Sequence, residues 1–537
     1  MPLVADIQAD IVSDDREALD DDLDAFLRHT RDAADSVDND LWRAAERIPL
    51  AGPNLRAVSA TADLAVAVAE GAVAEAAGID IEAFRPVDGR IDLAALAATA
   101  PSVRGADATI DAAREVLDGI DTSALIGPVA APVTQLRDQL ARVGDIVDGL
   151  ATAADVLPAA LGAEGERRYV LVFPNNAELR THGGALTAFA ELTVDGGRIE
   201  IAPAVDAAEL REPADDEIEA VDGETVALFG QGAATSVDHA AMAFDFATTA
   251  QVVATRWQQV TGDAVDGVLS FDPVALGNLL AATGPVTLSD GTELTSENAA
   301  ETLLWDVYER YPDPFEHDAF YAGASSSIFL AVVNGQAPLP PLVAALAESA
   351  QQGRFSIWSA DDAEQRLVER TGLAGELENE VRESDVAVAF NDLTGLKLDA
   401  RLDATVEVAA DRCQADETAI TVTASLVSSV PAEGLPEALQ HAELPEGTTV
   451  TRVDVVAPPG FAVDGVRQGA ARIAIDDLEI GRYDGRTVVT IGVALAAGAS
   501  DEVSVRFRAE GVDAPELDVT STPMIRETPV RVVDVYC

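Results

Sequence analysis

Apolar positions along the chain change their period twice. Up to about residue 165 they recur at helical spacing. Ile7, Ile11, Leu19, Leu23, Phe26 and Leu27 stripe a long acidic stretch at 4–37. A short helix follows at 39–47, with Trp42 as a core plug on its apolar face. Pro49 and Gly52-Pro53 break the chain before further helices at 54–77, 111–120 and 132–160. Leu136, Leu140, Val143, Ile146, Val147 and Leu150 line the last of these. Helices this long and alanine-rich predict an α-helical bundle or stalk.

The pattern then becomes strand-like. Tyr169-Val170-Leu171-Val172-Phe173 is a continuous apolar run, as expected of a central strand buried on both faces. A second strand at 185–194 turns at Asp195-Gly196-Gly197 and pairs back through 198–201. The acidic stretch 205–225 reads as a surface loop. A helix at 245–261 and a strand at 264–271 follow, and Asp272-Pro273 opens another helix with Asp272 as N-cap. That helix ends before Gly284-Pro285, and 286–288 and 293–294 flank a turn at 289–292. Residues 315–370 give two or three helices and a short strand at 355–358. From about residue 385 the period is two, with strands at 418–427, 448–456, 471–475, 487–495, 502–509 and 530–535. The expected fold is multidomain α+β: a helical bundle or stalk at 1–165, an α/β core at 166–384 and a C-terminal antiparallel β-sandwich at 385–537.

Charge narrows the function classes. The 537 residues include 94 acidic and 35 basic ones, for a net charge of −59. Such a surface repels phosphate backbones and anionic lipid, which argues against nucleic-acid binding. The acids are scattered and form no calcium loop of the Asp-x-Asp-x-Asp-Gly type. Lys397 is the only lysine. The two cysteines, Cys413 and Cys537, lie in no Cys-x-x-Cys or Cys/His cluster, so a structural zinc is not expected. We expect a disulfide tying the closing strand to the strand near Cys413, which requires an oxidising compartment; the alternative is two unpaired thiols. No apolar run is long enough to span a membrane, and the N-terminus lacks the basic and apolar regions of a signal peptide. Export would require a targeting segment ahead of residue 1.

Three stretches carry candidate chemistry. Asn175-Asn176-Ala177-Glu178-Leu179-Arg180-Thr181-His182-Gly183-Gly184 follows the buried-type strand, where open α/β sheets place ligands. Arg180 could fork onto a phosphate or carboxylate, and Asn175 and Asn176 could bind a sugar or a metal-bound water. The alternative is that the asparagines cap turns and Arg180 pairs with Glu178 or a core carboxylate. In the second stretch, 308–318, Arg310, Asp313, His317 and Asp318 could converge in a proline-stiffened loop. The third surrounds Asp272, whose simplest role is the helix cap. The chain has no Gly-x-Ser-x-Gly elbow, phosphate-binding Gly-x-x-x-x-Gly-Lys loop, His-Glu-x-x-His or dinucleotide fingerprint.

The phrases 168–180, Asp272-Pro273-Val274-Ala275-Leu276 with Thr283-Gly284-Pro285-Val286, and Tyr308-Glu309-Arg310-Tyr311-Pro312-Asp313 resemble the bacterial family called domain of unknown function 4012, common in actinobacteria. Leu41-Trp42-Arg43, Ile48-Pro49-Leu50-Ala51-Gly52 and the closing strand with Cys537 extend the likeness over most of the chain. It implies an extracytoplasmic, cell-surface protein held by a membrane helix preceding this sequence. The order of elements is also similar to the catalytic domain of LytR-CpsA-Psr proteins, which move glycopolymers from a polyprenyl-pyrophosphate carrier onto the cell wall. On that likeness Arg180 and Arg310 would hold pyrophosphate, and Asp313 or Asp318 would bind metal or act as base. The partner would be a cell-wall glycan or polyprenyl-linked sugar. Magnesium belongs to that chemistry, but Asn175 and Asn176 stand where its acidic ligand would be expected. Two other readings compete: a non-catalytic surface protein binding a glycan or partner, and a glycoside hydrolase pairing Glu178 with Asp313 or Asp318.

Overall fold

The computed structural model describes residues 16–49, 51–73, 75, 85–202, 207–311, 313–370, 372–375, 386–414, 417–511 and 517–535. The fold is mixed α+β and divides into two compact units: 1–85 with 91–165, and 86–90 with 166–537.

The first unit is helical. Its helices are α1 (Arg16–Val37), α2 (Asp40–Ala45), α3 (Gly52–Val68), α4 (Leu93–Asp118) and α5 (Gly127–Ala160). Asn39 caps α2 by accepting from the Trp42 backbone N–H at 2.9 Å, and Asp92 caps α4 through the N–H groups of Ala94 and Ala95. Leu64, Ala72, Ala106, Ile110, Ala113, Leu117, Val133 and Leu140 form the core. Trp42 is not the expected plug: it is only half-buried, and its indole N–H donates to Ser59 Oγ at 2.8 Å. The fourth helix begins at Leu93 rather than 111, because Pro101 sits inside it and interrupts the helical signal. On α5, Val143 and Leu150 point outward although they fit the apolar period. Residues 4–15 of the helix expected at 4–37 lie outside the described residues.

The second unit begins with a five-stranded sheet. Its strands are β1 (Arg167–Asn175), β2 (Ala185–Asp195), β3 (Arg198–Ile201), β4 (Gly267–Phe271) and β7 (Phe355–Ser359), in the order β3-β2-β1-β4-β7. Only β1 and β4 run parallel; the other neighbours are antiparallel. Between β3 and β4 lie α6 (Ala207–Arg211), α7 (Gly223–Phe229), α8 (Val237–Ala240) and α9 (Phe246–Thr261). The acidic 205–225 stretch is therefore partly helical. It is tied down by Leu210 and Ile218, buried with Val252, Val253 and Trp257 of α9 against Val170, Val172 and Val268. After β4 come α10 (Pro273–Thr283), the hairpin of β5 (Val286–Thr287) and β6 (Glu293–Leu294), α11 (Ala299–Glu301), α12 (Val307–Arg310), α13 (Pro314–Val333), α14 (Leu339–Gln351) and α15 (Asp362–Glu369). Asp272 does cap α10, accepting from Ala275 N–H at 2.8 Å.

Asp245 caps α9 through Ala247 N–H at 2.8 Å, and burial pushes its carboxyl up to about 6. A carboxyl raised in the folded state costs stability as it ionises. Asp245→Asn keeps the capping oxygen without the charge. It should match the wild type in urea unfolding below about pH 4 and exceed it above about pH 6. A constant difference across that range would refute the assignment.

The rest of the unit is two sheets. One has the order β13-β12-β16-β10-β9-β18 and the other β14-β15-β11-β8-β17. The strands are β8 (Val386–Asp392), β9 (Leu402–Gln414), β10 (Glu417–Ser428), β11 (Thr449–Val456), β12 (Ala462–Gln468), β13 (Ala471–Ile473), β14 (Glu479–Tyr483), β15 (Arg486–Leu495), β16 (Ser500–Glu510), β17 (Val519–Ser521) and β18 (Val530–Val535). Alternate residues of both sheets, among them Phe390, Val406, Ile420, Val453, Ile491 and Phe507, share one core. The sheets are not wholly antiparallel: β17 pairs parallel with β8, and β18 with β9. Val386 to Phe390 are buried throughout, because Ala387 and Ala389 pack on Leu228 and Phe229 of α7. That double-sided burial erases the alternation by which β8 would be read.

Candidate polar clasp after the first strand

The turn 175–184 leaves β1 at its carboxyl end and folds back to β2. Glu178 N–H donates to Asn175 O at 3.0 Å, and Ala185 N–H to Glu178 O at 2.8 Å. Gly184 is required here: a Cβ would lie 2.0 Å from the Asn175 carbonyl oxygen. Gly183 adopts a φ of +114°, open to glycine at no steric cost.

The turn is not an open edge. Asn175, Asn176, Glu178 and Arg180 are 2%, 0%, 4% and 6% exposed. Asn175 Nδ2 donates to Tyr308 Oη at 2.8 Å, and Asn175 Oδ1 accepts from Ala177 N–H at 3.0 Å. Asn176 Nδ2 donates to Asp272 Oδ2 and to Pro523 O, both at 3.0 Å. Between these polar residues, Ala177 and Leu179 are fully buried, and Leu179 belongs to the core of the paired sheets. Its N–H donates to Asp399 Oδ2 at 3.0 Å; Asp392 N–H and Asp399 N–H donate to Leu179 O and Ala177 O, each at 2.9 Å.

Charges close the clasp. Glu178 receives Arg180 Nη2 at 2.8 Å on one oxygen and Lys397 Nζ at 3.0 Å on the other. Burial alone would raise the Glu178 carboxyl; Lys397 and Arg180 outweigh it and hold it at about 2. Burial likewise opposes the charge of Lys397, yet Glu178 keeps its ammonium above the ordinary value. Arg180 also donates to the carbonyls of Leu179, Asp238 and Asp392. Asp272, 1% exposed, receives Arg354 Nη1 at 2.7 Å, and Arg354 Nη2 donates to Met524 O at 2.5 Å. Burial pushes Tyr308 up to about 12 and raises Asp399 well above the carboxylate range, with Asp392 adding to the latter.

The second candidate stretch sits elsewhere. Arg310 is partly exposed and pairs with Asp290 Oδ2 at 3.4 Å and Thr292 Oγ1 at 2.6 Å. Arg180 and Arg310 are thus held in separate ion pairs. Asp313 is exposed, ahead of α13. His317 lies on α13, not in an exposed loop; it is 5% exposed and packs edge-on to Tyr308 at 4.9 Å. Asp318 is half-buried, and desolvation raises its carboxyl against the pull of Lys397 and Arg211. Of the sequence candidates, Asn175, Asn176, Glu178 and Arg180 come together, Asp318 lies in the field of the same charges, and Arg310 with Asp313 does not join them. Sequence reasoning missed Arg354, Lys397, Asp392, Asp399 and Tyr308. The lone lysine in an arginine-rich chain was the one available signal.

Magnesium finds few free oxygens in this donor set: Asn176 Oδ1 and Asp399 Oδ1 are buried without a hydrogen-bond partner among the described residues, and the other side-chain oxygens are engaged. The Asn175 amide oxygen is occupied by a backbone N–H, and both Asp272 oxygens are committed, to Ala275 and to Arg354 with Asn176. Among the described residues no group of three or more His, Cys, Asp or Glu side chains could hold a metal ion. Nor is any described helix long and apolar enough to cross a membrane. Cys537 lies outside the described residues, as does the Cys413 side chain, so the expected disulfide falls outside them too.

No curated protein and no solved structure matches the chain. Residues 164–308, which run from the approach to β1 as far as Tyr308 of α12, match the family described as protein of unknown function (DUF4012), and the chain therefore carries a segment of that family.

Proposed function

We propose that this chain is a non-catalytic protein of the cell envelope that binds a glycan or a protein partner, and not a glycopolymer phosphotransferase. One observation carries the reading. The crevice at the carboxyl ends of β1 and β4, where an α/β sheet would hold its ligand, is filled by Pro523 O on Asn176 and Met524 O on Arg354. The two arginines that would grip pyrophosphate are spent on Glu178 and Asp290. A two-carboxylate hydrolase has less support still, since Glu178 is neutralised by two cations.

The test is an incubation of the purified chain with a polyprenyl-pyrophosphate-linked oligosaccharide, magnesium and a cell-wall acceptor, beside co-sedimentation with insoluble envelope glycan. We expect no transfer above the protein-free level. Transfer that disappears in Arg310→Ala would overturn the reading. Failure to sediment would remove the glycan and leave a protein as partner. An extracytoplasmic setting is part of the proposal. Strand register supports it: Val535 of β18 stands opposite Asp411 of β9, each two positions before a cysteine. Intact mass should rise by two hydrogens on reduction; an unchanged mass would remove that support.

A further inference from the structure

We propose that residues 517–535 form an exchangeable strap, and that the protein partner it fits is a second copy of this chain. The strap supplies an edge strand to each C-terminal sheet: β17 pairs with β8 and β18 with β9. Both pairings are parallel, whereas the other neighbouring strands described in these sheets all pair antiparallel. The strap therefore lifts off as one piece. It leaves two antiparallel sheets, β14-β15-β11-β8 and β13-β12-β16-β10-β9. The edges of β8 and β9 that it bares are templates for a strand. Between β17 and β18 the strap crosses the crevice beyond β1, where Pro523 O accepts from Asn176 and Met524 O from Arg354. Its other holds are of the same kind. Val386 N–H donates to Asp518 O at 3.0 Å, Thr522 N–H to Val388 O at 3.2 Å and Val406 N–H to Pro529 O at 3.0 Å. These contacts use backbone atoms of the strap, and they are the same whichever copy supplies it.

Side chains seat the strap lightly. Among those described in it, Leu517, Thr522 and Met524 are buried, and Leu517 and Met524 join the shared core. Val530 and Val532 of β18 remain 42% and 44% exposed. β8, beneath β17, is by contrast buried from Val386 to Asp392. A segment with few buried apolar contacts, held by edge hydrogen bonds, opens at the low end of local stability. Charge suits a strap from a second copy. Asp518, Glu527 and Asp534 nearly balance Arg526 and Arg531, so the strap is close to neutral in a chain of net charge −59. Arg526 pairs with Asp403 and Arg531 with Glu407, both on β9. Exposed pairs of this kind add little affinity, but they fix register. Two acidic bodies repel each other, and salt screens that repulsion. Exchange should therefore increase with ionic strength.

This names the protein partner of the binding reading above and rests on it. Transfer activity would sink that reading without altering strap exchange, and exchange can fail while the transfer assay stays negative. The test mixes two full-length chains, both C413S/C537S so that no native thiol competes. One carries Ala387→Cys and the other Thr520→Cys, positions that face each other across β8 and β17. The mixture is held at high concentration in urea below the unfolding transition, returned to buffer and oxidised. We expect a disulfide-linked heterodimer on non-reducing gels, with a yield that rises with chain concentration and with salt. Glu527→Cys in place of Thr520→Cys should give at least tenfold less. The single chain A387C/T520C should close within itself, and its closed form should no longer exchange. Closure of that chain with no heterodimer in the mixture would overturn the proposal. Equal yields from Thr520→Cys and Glu527→Cys would do the same, since they would mean thiol collision without register. The wild-type chain, treated alike under reducing conditions, should sediment in part as a dimer. A monomer throughout would overturn the proposal whatever the cysteine variants do.

Discussion

Arg354→Ala lowers the stability of the second unit by about 3–5 kcal/mol, the cost typical of removing one partner from a buried ion pair. Arg354 and Asp272 side chains are only 4% and 1% exposed. The substitution strands a carboxylate among Asn176, the start of α10 and the Met524 carbonyl, without the guanidinium that neutralises it. The lost aliphatic stem adds a smaller packing penalty, which Arg354→Met separates out. Because the penalty comes from an unpaired charge, the double variant R354M/D272N should be less damaged than the sum of its single changes. Urea unfolding of the four proteins measures this cycle. Strict additivity would mean that Arg354 acts by packing alone.

Glu178→Gln gives the second large effect. It leaves Arg180 and Lys397 facing a neutral amide in a site shut from solvent. The carboxyl is held at about 2 in the folded chain against an ordinary 4.5, a depression that corresponds to about 3 kcal/mol. This agrees with the low end of the range for breaking a buried pair. A depressed carboxyl contributes stability above its unfolded value and loses it as pH falls toward the folded one. The gap between wild type and Glu178→Gln should therefore be full at neutral pH, begin to close below about pH 4.5 and vanish near about pH 2. A pH-independent gap would show that the pair is not the source.

What could be read in advance depended on how local the cause was. β1 announced itself because Tyr169 to Phe173 are apolar without interruption, and Asp272 because an Asp-Pro step is a helix start by local geometry alone. The turn after β1 left two readings open for the opposite reason, and the pairing of Arg180 with Glu178 is the contact observed. Asn175, Asn176, Glu178 and Arg180 look like a solvent-facing binding edge when only composition is considered. The telling sign was Ala177 and Leu179, which alternate with the polar residues as in a strand buried on one side. Their receiving surface comes from residues 386–399 and 517–524, and nothing near 177 encodes it. Lys397 was visible as a compositional oddity, but its φ of +58° and its reach to Glu178 are properties of a distant loop. The segment 164–308 that carries the family likeness is itself incomplete in this respect: Arg354, Asp392, Lys397 and Asp399 all lie beyond it.

The hydrogen bond from Asn176 to the carbonyl of Pro523 joins residues 347 positions apart. A chain made from its N-terminus onward produces β1 and its turn long before this acceptor exists. Until then Leu179 has no core to enter, and the Glu178 cluster lacks Lys397. Contacts between such distant positions are slow to form, and unfinished intermediates expose apolar surface. Maturation of the second unit should thus be a late event, triggered by emergence of residues 517–524 and not by emergence of each part in turn. In the extracytoplasmic setting proposed above, that delay would keep the clasp open during passage across the membrane and let it shut on the far side.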